Sequence, residues 1–257
     1  DTERSRKREI LRSKRDQTER LQREKLISSE IQNQIQLKNS KPIPNKITVV
    51  FCASNPDSDN SLALDEEVRD IQNKIRLSDY RDSVELVSRW AMRTSDFMQA
   101  MNELRPHVVH FSGHGSEDGS IVFVSDDKQP HFVQIDAVVQ MLKATSQNLR
   151  AVIFNACFSE GQAAAISKYV EVTIGMEREV GDDGARIFAA QFYSAVGFGK
   201  SIKNAFDQGI AALAANYPEE MDNPRIYAGE GIDLAATFLV APGSTVISNI
   251  AIDRQIT

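Results

Sequence analysis

From residue 47 onward, apolar positions fall into two alternating textures. Short continuous runs rich in β-branched residues recur: ITVVFCA at 47–53, VELVSRW at 84–90, HVVHFSG at 107–113, LRAVIFNAC at 149–157 and VEVTIGM at 170–176. Their length and continuity predict strands buried on both faces. Between them lie helical spacings. LALDEEVRDIQNKIRL places Leu64, Val68, Ile71 and Ile75 on one stripe, and TSDFMQAMNEL opens with Thr94 and Ser95 as capping residues. DAVVQMLKAT, EGQAAAISKY, DGARIFAAQFYSAV and KSIKNAFDQGIAALAAN also read as helices. SIVFVS at 120–125 reads as a short hairpin strand, and the tail carries strand-like AATFLV (235–240) and TVISNIAI (245–252). Strands alternating with helices predict βαβ units, hence a mainly parallel sheet covered on both faces.

Residues 1–38 have a different texture. They contain no Gly or Pro and are rich in Arg, Lys, Glu and Gln, all good helix formers. Ile27, Ile31 and Ile35 form a narrow apolar stripe, and Pro42 and Pro44 close the segment. The expected organisation is a helical or coiled-coil arm and linker over 1–45, followed by one domain over 46–257.

Charge sharpens this division. Residues 1–38 carry 11 Lys and Arg against 7 Asp and Glu, and the remainder carries 19 against 29. An acidic body disfavours nucleic acid as the main partner. No run of 18 apolar residues occurs, so no membrane span is expected. No signal peptide is visible in a chain that starts at Asp1. Two cysteines, Cys52 and Cys157, make no disulfide framework, and a cytoplasmic location is the simplest expectation.

Functional groups in a parallel α/β sheet gather beyond the carboxyl ends of the strands. Two strand ends carry chemistry. One ends in Gly113-His114-Gly115, and another leads to Cys157. If these strands are neighbours, an imidazole stands beside a thiol as general base and nucleophile. His114 is then expected to lower the thiol pKa, with the following helix adding its positive end. Backbone N–H groups of Gly115 and Cys157 are candidates for an oxyanion hole. Cys52, inside a strand, and His107 and His110 read as structural, and His131 as a surface loop residue. A zinc site built from the strand histidines fails, because His107 and His110 point to opposite faces. No glycine-rich dinucleotide loop follows the first strand, so no cofactor is expected.

At these residues the sequence resembles the CHAT family of caspase-like cysteine proteases. The similarity lies in VVFCASNPDSDNSLALDEEVRDI, HVVHFSGHGSEDGSIVF, AVIFNACFSEGQAAAI and the stretch from Val172 to Phe206, and covers roughly residues 47–240. The resemblance implies a caspase-like three-layer α/β sandwich and endopeptidase activity on protein substrates, with His114 as base and Cys157 as nucleophile. It also implies an effector of anti-phage or stress responses coupled to a separate sensor, so that the gate is a sensor protein, a small ligand or the arm. The arm's own stripe at Ile27, Ile31 and Ile35 is expected to mediate self-association or contact with a regulator. Arg178, Arg186 and Lys128 are cations available to an anionic signal. The polar stretch after His114 and EREVGDDG at 177–184 are the loops expected to become ordered on activation.

The same clan places the side chain before the scissile bond in a pocket beside the nucleophile. Asn155, two residues before Cys157, is expected to share its face. Glu177, Asp182 and Asp183 are expected to make that pocket acidic and selective for Arg or Lys, unless Asp182 merely caps the next helix. A catalytically silent binding module and a coiled-coil scaffold are the rival readings.

Overall fold

The computed structural model describes residues 43–56, 62–145 and 147–240, together with Thr18, Gln22 and Arg23, which are helical. The expected arm and the strand-like stretch 245–252 otherwise lie outside the described residues. A six-stranded sheet has the order β2-β1-β3-β6-β7-β8. Its strands are β1 (Ile47–Ser54), β2 (Val84–Arg89), β3 (Val108–Gly113), β6 (Ala151–Asn155), β7 (Val172–Met176) and β8 (Pro224–Ala228). The first five in that order run parallel, and β8 is antiparallel to β7. A separate antiparallel pair is formed by β4 (Ile121–Val124) and β5 (Pro130–Val133). His131 therefore lies on an exposed strand rather than in a loop.

The helices are α1 (Leu64–Arg76), α2 (Thr94–Leu104), α3 (Ile135–Thr145), α4 (Glu160–Ile166), α5 (Asp182–Gly197) and α6 (Ile202–Asn216). Strand alternation sends side chains to two cores. Val49, Phe51, Ala151 and Ile153 pack with α1, α5 and α6 through Val68, Ile71, Phe188 and Ala205. Val50, Cys52, Val109 and Phe154 pack with α2, α3 and α4 through Phe97, Met101, Val138 and Ile166. The result is the expected three-layer α/β sandwich. Each large aliphatic or aromatic side chain so buried contributes about 1.5–3 kcal/mol.

Two local expectations are corrected. Thr94 and Ser95 lie inside α2, and the Asp96 carboxylate accepts from the Arg93 backbone N–H at 3.3 Å. AATFLV is not a strand. The Asp233 carboxylate turns the chain by accepting from Ala235 N–H, and the Phe238 carbonyl accepts from the buried Arg150 guanidinium at 2.9 Å. The edge position falls to β8 instead, whose leading Pro224 suits an edge strand.

Candidate active site

β3 and β6 are neighbours, with Ser112 opposite Asn155. Their carboxyl ends bring His114 and Cys157 to one cavity. The glycines around His114 are there for the backbone. A Cβ at Gly113 would stand 2.4 Å from the Ser54 carbonyl oxygen, and one at Gly115 would stand 1.9 Å from that of Cys157. Any side chain at 115 would push the histidine segment off the cysteine segment. The residue after the cysteine, Phe158, has φ 54, a left-handed conformation costing roughly 1–2 kcal/mol in a non-glycine residue. That turn moves the chain from β6 into α4, a helix of only seven residues.

Within the cavity no hydrogen bond joins the two groups. His114 Nε2 is 3.3 Å from Asn55 Oδ1. The Cys157 thiol donates to the Val180 carbonyl at 3.9 Å and accepts from the Val180 N–H at 3.5 Å. Burial pushes the thiol pKa up, and the charges of Glu179 and Asp182 push the same way. The imidazole is not among the groups that shift the thiol in this conformation, in which His114 Nε2 faces Asn55. Cys52 lies in the opposite core, fully buried, with its pKa pushed up to about 12 by burial.

The acids predicted from sequence separate. Asn155 and Asp182 line the cavity, whereas Glu177 and Asp183 do not. Glu177 pairs with Arg225. Asp183 accepts from Arg186 at 2.5 Å and from the Tyr217 hydroxyl at 3.1 Å. Asp182 does not cap α5 through its side chain, since its Oδ2 accepts from Ala63 N–H at 3.3 Å. Arg186, offered above as a signal-binding cation, is bound by Asp70 and Asp183.

Sequence reasoning missed Glu67. It sits in α1, is 4% exposed and lines the cavity. Its carboxylate accepts from Ser112 Oγ at 2.5 Å and Asn155 Nδ2 at 2.6 Å, and meets His110 Nε2 at 3.0 Å. His110 Nδ1 lies 3.3 Å from the Tyr193 hydroxyl, whose pKa burial and Glu67 raise well above the usual range. The available signal was spacing: Glu67 follows Leu64 by three and precedes Ile71 by four, on the apolar stripe.

Among the described residues, no cluster of His, Cys, Asp or Glu is arranged to hold a metal ion, and no helix is long and apolar enough to cross a membrane.

A mainly parallel α/β sandwich with a cysteine and a histidine at adjacent strand ends defines the caspase-like class. The sequence model of the CHAT domain matches residues 7–228, and the chain belongs to that family. The match reaches back into the segment read above as an arm. A probable protease of Gillisia limnaea is 22% identical over 175 residues, covering 66% of this chain and 31% of that protein. A Roc-COR-CHAT protease from an unknown prokaryotic organism is 21% identical over 180 residues, covering 67% of this chain and 17% of that protein. The chain thus spans less than a third of the length of either relative. Among solved structures, the complex of Porphyromonas gingivalis RgpB pro- and mature domains has the same fold, with TM-score 0.55 and 14% identity, covering 81% of this chain and 54% of that one.

Proposed function

We propose that the chain is a cysteine endopeptidase held in a resting conformation, with Cys157 as nucleophile and His114 as general base. The observation that carries this reading is their convergence on one cavity from adjacent strand ends. In the reaction, His114 turns from Asn55 and takes the thiol proton, and the thiolate attacks the scissile carbonyl carbon. The oxyanion is met by the N–H groups of Gly115 and Cys157. Collapse of the tetrahedral intermediate breaks the C–N bond, and the amine leaves with the proton from His114. Water, deprotonated by His114, then hydrolyses the thioester and frees Cys157.

Three features support a gated enzyme. The thiol is bonded to the Val180 backbone, the imidazole faces Asn55, and the cavity encloses about 40 Å³, room for only a few water molecules. An activating partner or ligand therefore has to widen the cavity and free both groups. The acidic lining of Glu67 and Asp182 supports a preference for cationic side chains. The family resemblance suggests a cytoplasmic anti-phage or stress effector. The lack of a hydrogen bond between His114 and Cys157 favours one rival, a silent module that binds peptides in the same cleft.

Wild type, Cys157→Ala, His114→Ala and Cys52→Ala, incubated with a peptide library and with lysate of virus-challenged host cells, decide between them. Wild type and Cys52→Ala are expected to cleave. The two site variants should lose on the order of a thousandfold or more in rate. An active Cys157→Ala enzyme would falsify the mechanism, and peptide binding without cleavage under any activating condition selects the silent module.

A further inference from the structure

The floor of the cavity beside Cys157 is built of acceptors. Asn155 is 4% exposed, and its Oδ1 is buried with no hydrogen-bond partner among the described residues. Rotating the amide does not solve this. Asn155 Nδ2 donates to Glu67 Oε1 at 2.6 Å, so a flipped amide would set a carbonyl oxygen against a carboxylate. Glu67 thus fixes which way the amide faces. A buried acceptor without a donor is costly, and Asn155 lines the cavity, so a donor entering the cavity relieves it.

Charge narrows the donor. Glu67 and Asp182 both line the cavity, and no Lys or Arg does among the described residues. A carboxylate offers about four acceptor sites, and three donors already face Glu67.

We propose that Glu67 is the specificity-determining acid of this cavity. It holds the Asn155 carbonyl available to the cavity and supplies negative charge beneath it, so the substrate side chain taken beside Cys157 is a guanidinium or an ammonium. This rests on the reading of Cys157 as the nucleophile. It moves the source of specificity from Asp183, already engaged by Arg186 and Tyr217, to a helix 90 residues earlier in the chain than Cys157.

The test uses four peptidyl acyloxymethyl ketones that differ only in the residue next to the reactive group: Arg, Lys, norleucine or Asp. Rates of Cys157 labelling are read by mass spectrometry for wild type, Glu67→Gln, Asn155→Leu and Asp183→Asn, with thermal melts to confirm folding. In wild type, the Arg and Lys probes should label roughly 10- to 100-fold faster than norleucine, the range set by one or two charge-assisted hydrogen bonds. The Asp probe should be slowest. Glu67→Gln and Asn155→Leu should shrink the Arg-to-norleucine ratio to within a few-fold, while Asp183→Asn keeps it. Should Glu67→Gln not fold, Asn155→Leu, close to isosteric, carries the decision. Equal Arg and norleucine rates in wild type, or an unchanged ratio in the folded variants, overturns the proposal alone. Failure of all four probes, together with no cleavage of the peptide library under any activating condition while iodoacetamide still alkylates Cys157, overturns the protease reading and takes the proposal with it.

Discussion

In the proposed mechanism activity turns on the Cys157 thiol, and its surroundings suit a resting state. Burial holds its pKa above that of an ordinary thiol, so at neutral pH it is protonated and weakly nucleophilic. Two neighbouring carboxylates, Glu179 and Asp182, act in the same direction. The consequence is a specific pH profile. Alkylation by iodoacetamide should stay slow through neutrality and climb only as pH passes the ordinary thiol range, because the reactive thiolate appears above the raised pKa. An activated enzyme, with His114 turned to the sulfur, should bring that midpoint down. A resting midpoint already below the ordinary thiol value would contradict the geometry. Cys52, pushed to about 12 and fully buried, should stay unlabelled throughout.

At the scale of elements, the segment from Glu177 to Gly181 acts as a strap across the cysteine. Asn223, 1% exposed, holds it from below. Its Oδ1 accepts from Arg178 N–H at 2.8 Å and its Nδ2 donates to the Glu179 carbonyl at 2.7 Å. Gly181 N–H donates to Glu220 Oε1 at 3.2 Å. Val180, between these fastenings, supplies both bonds to the thiol. The turn after His114 is also tied, with Asp118 accepting from Ser116, Ser120 and Gln134. Both loops are fastened by hydrogen bonds in this conformation, so in the proposed gating activation would release them rather than order them. Asn223→Ala should loosen the strap by ~1 kcal/mol, a roughly fivefold rise in Cys157 alkylation at fixed pH. An unchanged rate in a variant with normal melting would show that the strap does not hold the thiol.

At the scale of the whole molecule, a central parallel sheet delivers β3 and β6 side by side, and α1 and α5 close the cavity from the same face. The regulatory question moves to residues 1–38. Their net positive charge opposes that of the acidic body, but exposed ion pairs are weak and screened by salt. If the segment mediates self-association or contact with a regulator, the sequence stripe of Ile27, Ile31 and Ile35 would be the stronger anchor. Deleting residues 1–38 should change the mass seen by light scattering, or the rate of activation. If neither moves, the segment is a linker.

Element types were legible because buried strands and amphipathic helices impose different periods. Leu64, Val68, Ile71 and Ile75 announced α1, and the runs before His114 and Cys157 announced β3 and β6. Both candidate catalytic residues were visible for the same reason, each closing an apolar run at the end where parallel sheets carry chemistry. The strand-like tail misled because Phe238, Leu239 and Val240 are apolar without being extended: two of them are buried and the Phe238 carbonyl serves Arg150. The interior of the cavity was not legible either. Helical spacing sets Glu67, which is buried on the apolar stripe, apart from Glu66, which is half exposed and paired with Arg69, but it does not say what Glu67 meets there. Nor does the sequence say that Asp182 lines the cavity while Asp183 turns to Arg186. Periodicity determines which face a side chain occupies along its own element. Which distant groups meet there depends on strand order and helix packing, and that was decided by the tertiary structure: it brought Glu67, Ser112 and Asn155 together from three separate elements.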